Sequence, residues 1–126
     1  NRWDIGPEAT VSVGARTYFS PDGLLISNSG ISIGSGCAIG WKTQLLDDDF
    51  HRHHTLAEPG ERGTAPDITI GDRVWIGSHV QIYKGVQIAD GVIVAGGSVV
   101  TMSITEPGCL VAGVPARIIR RDVTWR

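Results

Sequence analysis

Aliphatic side chains recur along this chain at every sixth position. Ile70, Ile76, Ile82, Ile88, Val94 and Val100 form one unbroken row, and Ile68, Val74, Val80, Val86, Val92 and Ser98 form a second row two residues earlier in each repeat. A shorter run of the same kind lies upstream, with Ile33, Ile39 and Leu45 in one row and Ile31, Cys37 and Thr43 in the other. A helix cannot use this spacing. At about 100° per residue, six residues turn by roughly 600°, so successive members point in three different directions. A strand can use it, because six is even and residues two apart share a face. Each hexad then supplies two inward side chains, one large and one smaller. Gly34, Gly40, Gly71 and Gly77 follow the larger aliphatic, where a short strand must bend. Strands that bend this regularly coil into a parallel solenoid whose turns stack on one another. A sandwich of short strands has no reason to hold a six-residue register for so long.

Two segments depart from the register. Residues 51–67, "HRHHTLAEPGERGTAPD", hold two Pro, two Gly and several charges between the two runs, and are expected to form a loop thrown out from the solenoid. From Thr105 to Arg126 turn residues give way to an apolar pair and then to basic residues; this C-terminal extension, 105–126, is expected to leave the solenoid and fold back on a face or a neighbour. The whole, residues 1–126, is read as one domain.

Composition fits this architecture. The chain is 41% hydrophobic but only 6% aromatic, with 17 glycines, so the core must be built from Ile, Val and Leu. A net charge of -2 gives no general reason to expect nucleic acid as a partner. Cys37 and Cys109 are too few for a disulfide framework and read as buried thiols in a reducing compartment. No apolar run is long enough to span a bilayer and no signal peptide is visible, which points to the cytoplasm.

The stretch "ITIGDRVWIGSHVQIYKGVQIADGVIVAGGSVVT", followed by "VAGVPARIIR" with its G-x-P-A-R ending, resembles the hexapeptide-repeat acyltransferases. The similarity is greatest to galactoside, maltose and xenobiotic O-acetyltransferases and to those acting on capsule or lipopolysaccharide. It implies an all-β, left-handed parallel β-helix of triangular section; the general rule for parallel crossovers alone would predict the opposite hand. It also implies a homotrimer, acetyl-CoA in a cleft between neighbouring solenoids, and a catalytic His on the extruded loop. No metal is expected.

The chemistry concentrates in "LLDDDFHRHH", residues 45–54. Acyl transfer to a hydroxyl needs a base, and imidazole has the suitable intrinsic pKa. His51 lies at the position of the family's catalytic His, with His53 and His54 as rivals. Asp47 and Asp49 alternate with His51, so an extended backbone would put all three on one face, where a carboxylate orients the imidazole or meets the acceptor. Glu58 and Glu61 are further candidates for that orienting acid. Ser78 in "WIGSH" matches a family position near the thioester and is a candidate oxyanion donor. For the coenzyme, the resemblance points to Ser78, Gly96, Gly97, Ser98 and Thr101; by their chemistry Arg117, Arg120 and Arg121 in the tail are candidates for the phosphates and Trp75 for the adenine. Met102 stands where the family often has Lys, so one cationic contact is missing. Trp41 and Trp75 lie outside the inward rows and need cover from a subunit, the adenine or a sugar.

Three other readings stay open on sequence alone. An N-acetyltransferase on an amino sugar needs the same donor site. A γ-type carbonic anhydrase shares the fold and would need three imidazoles on a metal, with His51, His54 and His79 as candidates. A non-catalytic solenoid leaves the clustered histidines unexplained. The acceptor is expected to be a sugar or glycan precursor of polysaccharide biosynthesis, with Asp22 and Asn28 as guesses for its contacts. The first residue is Asn1 rather than Met, consistent with a short family member or with the inner part of a longer protein.

Overall fold

The computed structural model describes residues 1–51, 55–57 and 66–126. The described elements are all strands, fifteen of them in three sheets. Three strands make one coil, and every third strand stacks on the last. Coil one holds β1 (Arg2–Ile5), β2 (Thr10–Val13) and β3 (Tyr18–Phe19); coil two holds β4 (Leu24–Ser27), β5 (Gly30–Ile33) and β6 (Ala38–Ile39). Coil three is β7 (Gln44–Leu46), β8 (Ile68–Ile70) and β9 (Trp75–Ile76), and coil four is β10 (Gln81–Tyr83), β11 (Gln87–Ile88) and β12 (Ile93–Val94). Coil five has β13 (Val99–Val100), a single bridge from Ile104 to Ile88, and β14 (Leu110–Gly113). The first sheet runs β1-β4-β7-β10-β13, the second β2-β5-β8-β11, and the third β3-β6-β9-β12-β14-β15.

Register explains the six-residue rows. Leu25, Leu45, Ile82 and Val100 are successive partners in the first sheet, Ile33, Ile70 and Ile88 in the second, and Ile39, Ile76, Val94 and Val111 in the third. Like meets like from coil to coil, so the interior is three aliphatic ladders in contact. Every position of the two sequence rows, Thr43 and Ser98 included, is buried. Their hydroxyls are satisfied locally: Thr43 donates to the Gly40 carbonyl at 2.9 Å and Ser98 to the Ala95 carbonyl at 2.6 Å.

Corners stack as strictly as strands. At the corner between the third and first sheets, His79 N–H donates to the Trp41 carbonyl and Gly97 N–H to the Ser78 carbonyl. Lys42, His79 and Gly97 there all have positive φ, at 55°, 59° and 75°. The glycines one position past the strands serve a different need. They are not left-handed; they let one coil touch the next. A Cβ on Gly40 would stand 2.7 Å from the Gly77 carbonyl carbon, and one on Gly77 would stand 2.6 Å from the Gly96 nitrogen. The bend expected of them is secondary to this close approach.

The end of the chain differs from the expected extension in where it starts. β14 still pairs in parallel with β12, and Cys109 and Val111 are core residues, so coiling continues to Gly113. Only β15 (Ala116–Arg120) reverses, antiparallel on β14. The tail beyond it does fold back on the solenoid. Val123 N–H donates to the Gly108 carbonyl, and Trp125 reaches Arg73, with its indole N–H 2.8 Å from the Arg73 carbonyl. The Arg73 guanidinium lies 5.9 Å from the Trp125 ring centroid and donates to the Trp125 carbonyl. Trp75 packs against the same ring at 5.9 Å. One side of Trp75 is thus covered by the chain's own tail, while Trp41 stays exposed. Trp125→Ala removes an aromatic pair, a cation–π contact and a hydrogen bond. It is expected to lower stability by about 1–2 kcal/mol, read as a lower denaturation midpoint at unchanged m-value.

Both cysteines are free and fully buried. Burial pushes each thiol above its ordinary range, Cys37 despite an amide and a hydroxyl beside it and Cys109 with help from Glu106. A raised pKa leaves less thiolate at a given pH. The native protein is therefore expected to react with a thiol-specific reagent at pH 8 only as fast as it unfolds, and with both equivalents in denaturant.

Candidate active site

The corner between the first and second sheets is where coil three opens. β7 ends at Leu46 and β8 begins at Ile68. Asp47 turns inward and is buried, accepting hydrogen bonds from Ser27 Oγ at 2.6 Å and from the amides of Asn28, Ser29 and Gly30 at 2.8, 3.1 and 2.7 Å. Asp48 accepts from the Phe50 amide and from Asn28 Nδ2, both at 2.9 Å. Those donors, the Phe50 amide first and then Asn28, hold its carboxyl below the usual carboxylate range, and the charge of Lys84 adds to them more weakly. Asp49 pairs with Lys84 Nζ at 2.6 Å. Phe50 takes a left-handed conformation, φ 66°, and both it and His51 are exposed.

The shared face expected for Asp47, Asp49 and His51 does not form. That expectation needs extended backbone, and the strand stops at Leu46 while Phe50 reverses the chain. Asp47 goes to the core side because four donors there satisfy it, and Asp49 finds a cation one coil away. His53, His54, Glu58 and Glu61 lie outside the described residues.

The corner between the third and first sheets carries the other group. Trp75 is outward on β9, Ser78 is half-buried at the corner, and Gly96 and Gly97 stack on it from coil four. A Cβ on Gly96 would come 3.2 Å from the Ser78 carbonyl oxygen, whereas Gly97 has nothing within 4 Å of where a Cβ would sit. That side is open for a ligand chain to lie along the backbone. Ser98 is inward and buried, as its place in the aliphatic row requires; its hydroxyl also accepts from the Gly113 amide at 3.2 Å. It offers a coenzyme no side chain. Thr101 and Met102 are exposed just past β13. Arg117 and Arg120 are exposed on β15, while Arg121 is paired with Glu106 at 3.0 Å. Of the outlying guesses, Asn28 lines an open groove with Ile26, Trp3 and Phe50 beside the loop root; Asp22 sits at the other corner with φ 66°.

These two groups leave the first sheet at opposite ends. β7 and β10 are paired strands, Gln44 opposite Gln81; His51 follows the exit of β7 and Ser78 precedes the start of β10. The same holds for His51 and His79, two of the three imidazoles an anhydrase would need. Among the described residues no group of three or more His, Cys, Asp and Glu is gathered for a metal.

Sequence reasoning missed the whole donor set around Asp47. "ISNSG", residues 26–30, gave no periodic signal, although Ser, Asn and Gly at a corner mark turn chemistry.

Residues 67–101 match the family model described as bacterial transferase hexapeptide (six repeats). The galactoside O-acetyltransferase of Escherichia coli K12 is 37% identical over 112 residues, 89% of this chain and 54% of that one. The polysialic acid O-acetyltransferase OatWY superposes with TM-score 0.87 at 30% identity, covering 98% of this chain and 59% of that one. The hexapeptide-repeat acetyltransferase VCA0836 of Vibrio cholerae superposes with TM-score 0.72 at 30% identity, over 95% of this chain and 70% of that one. It has also been solved in complex with acetyl coenzyme A. The chain spans about half the length of the curated relatives it matches.

Proposed function

The chain belongs to the hexapeptide-repeat acetyltransferases and has their left-handed parallel β-helix, and from that premise we propose that it moves the acetyl group of acetyl-CoA to a hydroxyl of a sugar or glycan precursor. His51 takes the proton from the acceptor hydroxyl. The oxygen so freed attacks the thioester carbonyl carbon, and the negative charge that develops on the carbonyl oxygen is met at the Ser78 corner by the hydroxyl or a neighbouring amide. Collapse breaks the carbon–sulfur bond, and the imidazolium returns its proton to the departing thiolate. The products are an acetyl ester and the free coenzyme thiol.

One observation carries the reading. The exposed imidazole and the open glycine corner leave the first sheet at opposite ends of one chain, so they complete each other only across two copies. A closed homotrimer repeats such a heterologous contact three times, and each cleft takes His51 from one copy and the Ser78, Gly96 and Gly97 corner from the next. The open side of Gly97, the exposed Thr101 and the exposed guanidiniums of Arg117 and Arg120 suit a phosphate-bearing thioester. Dependence on acetyl-CoA and two free thiols both fit the cytoplasm.

The test is thiol release from acetyl-CoA in the presence of mono- and oligosaccharides. Acceptor-dependent release with hydroxyl sugars supports O-transfer. Release confined to amino sugars shifts the assignment to N-transfer, and no coenzyme binding by calorimetry leaves a non-catalytic solenoid. Stoichiometric zinc in chelator-free protein would favour the anhydrase.

A further inference from the structure

We propose that the four-residue corner Ser27–Gly30 positions the general base, by gripping both roots of the extruded segment and so fixing where that segment presents His51. The inference rests on His51 being the base. On the outgoing root, three consecutive amides and one hydroxyl of this corner converge on the buried Asp47 carboxylate, a small anion-holding nest that belongs to the coil below. The next residue is held from the same place: Asn28 Nδ2 donates to one Asp48 oxygen, and the other accepts the Phe50 amide. That second bond closes a local turn, and the chain leaves it through the left-handed Phe50 directly into His51. On the returning root, Ser29 Oγ donates to Asp67. Gly30 leaves room for this, because a Cβ there would stand 3.2 Å from Asp67 Oδ2.

Stacking alone does not call for such an arrangement. The same corner one coil later, between β10 and β11, turns with Gly85 at φ 76° and meets the coil beneath through one exposed ion pair, Lys84 with Asp49. At the corner between the second and third sheets Asp72 and Asp90 each accept one amide from the neighbouring coil, whereas four donors converge on Asp47 where the segment leaves. A base that faces two ligands gains turnover from being held to a fraction of an ångström, while coenzyme contacts at the far end of the sheet do not feel this corner. Ser27, Asn28, Ser29, Gly30, Asp47 and Asp67 are therefore positioning residues, and their signature is a loss in kcat without a loss in coenzyme KM.

The experiment compares Ser27→Ala, Asn28→Ala and Val92→Ala in the full chain. Val92 is a buried core residue of coil four, placed at another corner. Ser27→Ala is expected to lower kcat about 10-fold or more with the acetyl-CoA KM within about twofold, and Asn28→Ala to follow in the same direction. Val92→Ala should melt at lower temperature yet keep its kcat at 25 °C within about twofold. A second readout needs no chemistry: trypsin cleavage at Arg52 and Arg62 should accelerate about fivefold or more in Ser27→Ala relative to Val92→Ala. An active wild type whose Ser27→Ala and Asn28→Ala variants keep both turnover and cleavage rate overturns this inference alone. A kcat loss no larger than that of Val92→Ala does the same. A wild type that transfers nothing overturns the functional reading first, and the role of this corner in catalysis with it.

Discussion

Replacing His51 with alanine is expected to lower kcat by about 10²- to 10⁴-fold, the range removed with a general base, while the acetyl-CoA KM stays within about twofold. The asymmetry follows from geometry. His51 leaves the first sheet beyond β7, and the proposed thioester corner of Ser78, Gly96 and Gly97 lies at the opposite end of that sheet. In a shared cleft the variant's own coenzyme corner is intact, so mixing provides a sharper measurement. His51→Ala and Ser78→Ala chains, each weakened alone, are denatured together and refolded. Random association leaves about a quarter of the clefts with a wild-type imidazole from one copy and a wild-type corner from the next. Recovery of activity toward that fraction is the expected result. A mixture no more active than the two variants apart would mean that base and oxyanion donor come from one chain, and wild-type turnover in His51→Ala would remove the assignment of the base.

Gly77→Val is expected to destabilise the protein by about 3 kcal/mol or more, at the upper end of what overpacking costs. The reason is not backbone freedom. Gly77 is not left-handed, but its Cβ position lies 2.6 Å from the Gly96 nitrogen and 2.9 Å from the Gly96 Cα. Both neighbours are backbone, so no side chain can swing away; coils three and four must part at that corner, and the ladder bond from the Gly77 amide to the Val94 carbonyl, 2.8 Å long, weakens with them. Gly97 provides the contrast at the same corner, two positions along. Its φ of 75° disfavours a side chain, but nothing lies within 4 Å of the Cβ position. Gly97→Ala should therefore cost only about 1–2 kcal/mol of left-handed strain, and His79, left-handed directly beneath it at φ 59°, shows that the corner accepts a side chain. Equilibrium denaturation of the two variants checks the order. Equal costs would mean that conformational freedom, not contact between coils, explains the glycines. Because Gly96 lies on the proposed coenzyme path, Gly77→Val should also weaken acetyl-CoA binding, whereas His51→Ala should not.

Only part of this was visible in one dimension. The stretch from β8 to β13 was legible because its inward rows repeat without interruption; coil five was not, since after Val100 its inward residues Ile104, Cys109 and Val111 lose the six-residue count. Coils one and two were legible only from Ile31 onward. Arg2 pairs with Leu24, Leu24 with Gln44, and Gln81 with Val99, so early coils carry extra corner residues that break the count. Trp3, Ile5 and Val13 in coil one are inward by register yet exposed, since among the described residues no strand covers that end. The three acids before His51 looked alike in sequence and are not. Asp47 is a buried anchor, Asp48 caps a turn, and Asp49 pairs with a lysine of the next coil.

The division has a physical cause. A six-residue period of aliphatic side chains determines its own answer, because only a strand keeps all its members on one side, and the cost of exposing them forces the coils to stack. The break in register at residues 51–67 and the glycines that follow the larger aliphatics were equally local properties of the chain. What a carboxylate or a tryptophan does depends instead on which donors or rings a distant coil brings within about 3–6 Å. The Ser27–Gly30 nest around Asp47, the closure of Trp125 on Arg73 and Trp75, and the parting of His51 and Ser78 to opposite ends of one sheet were decided only by the winding of the whole chain.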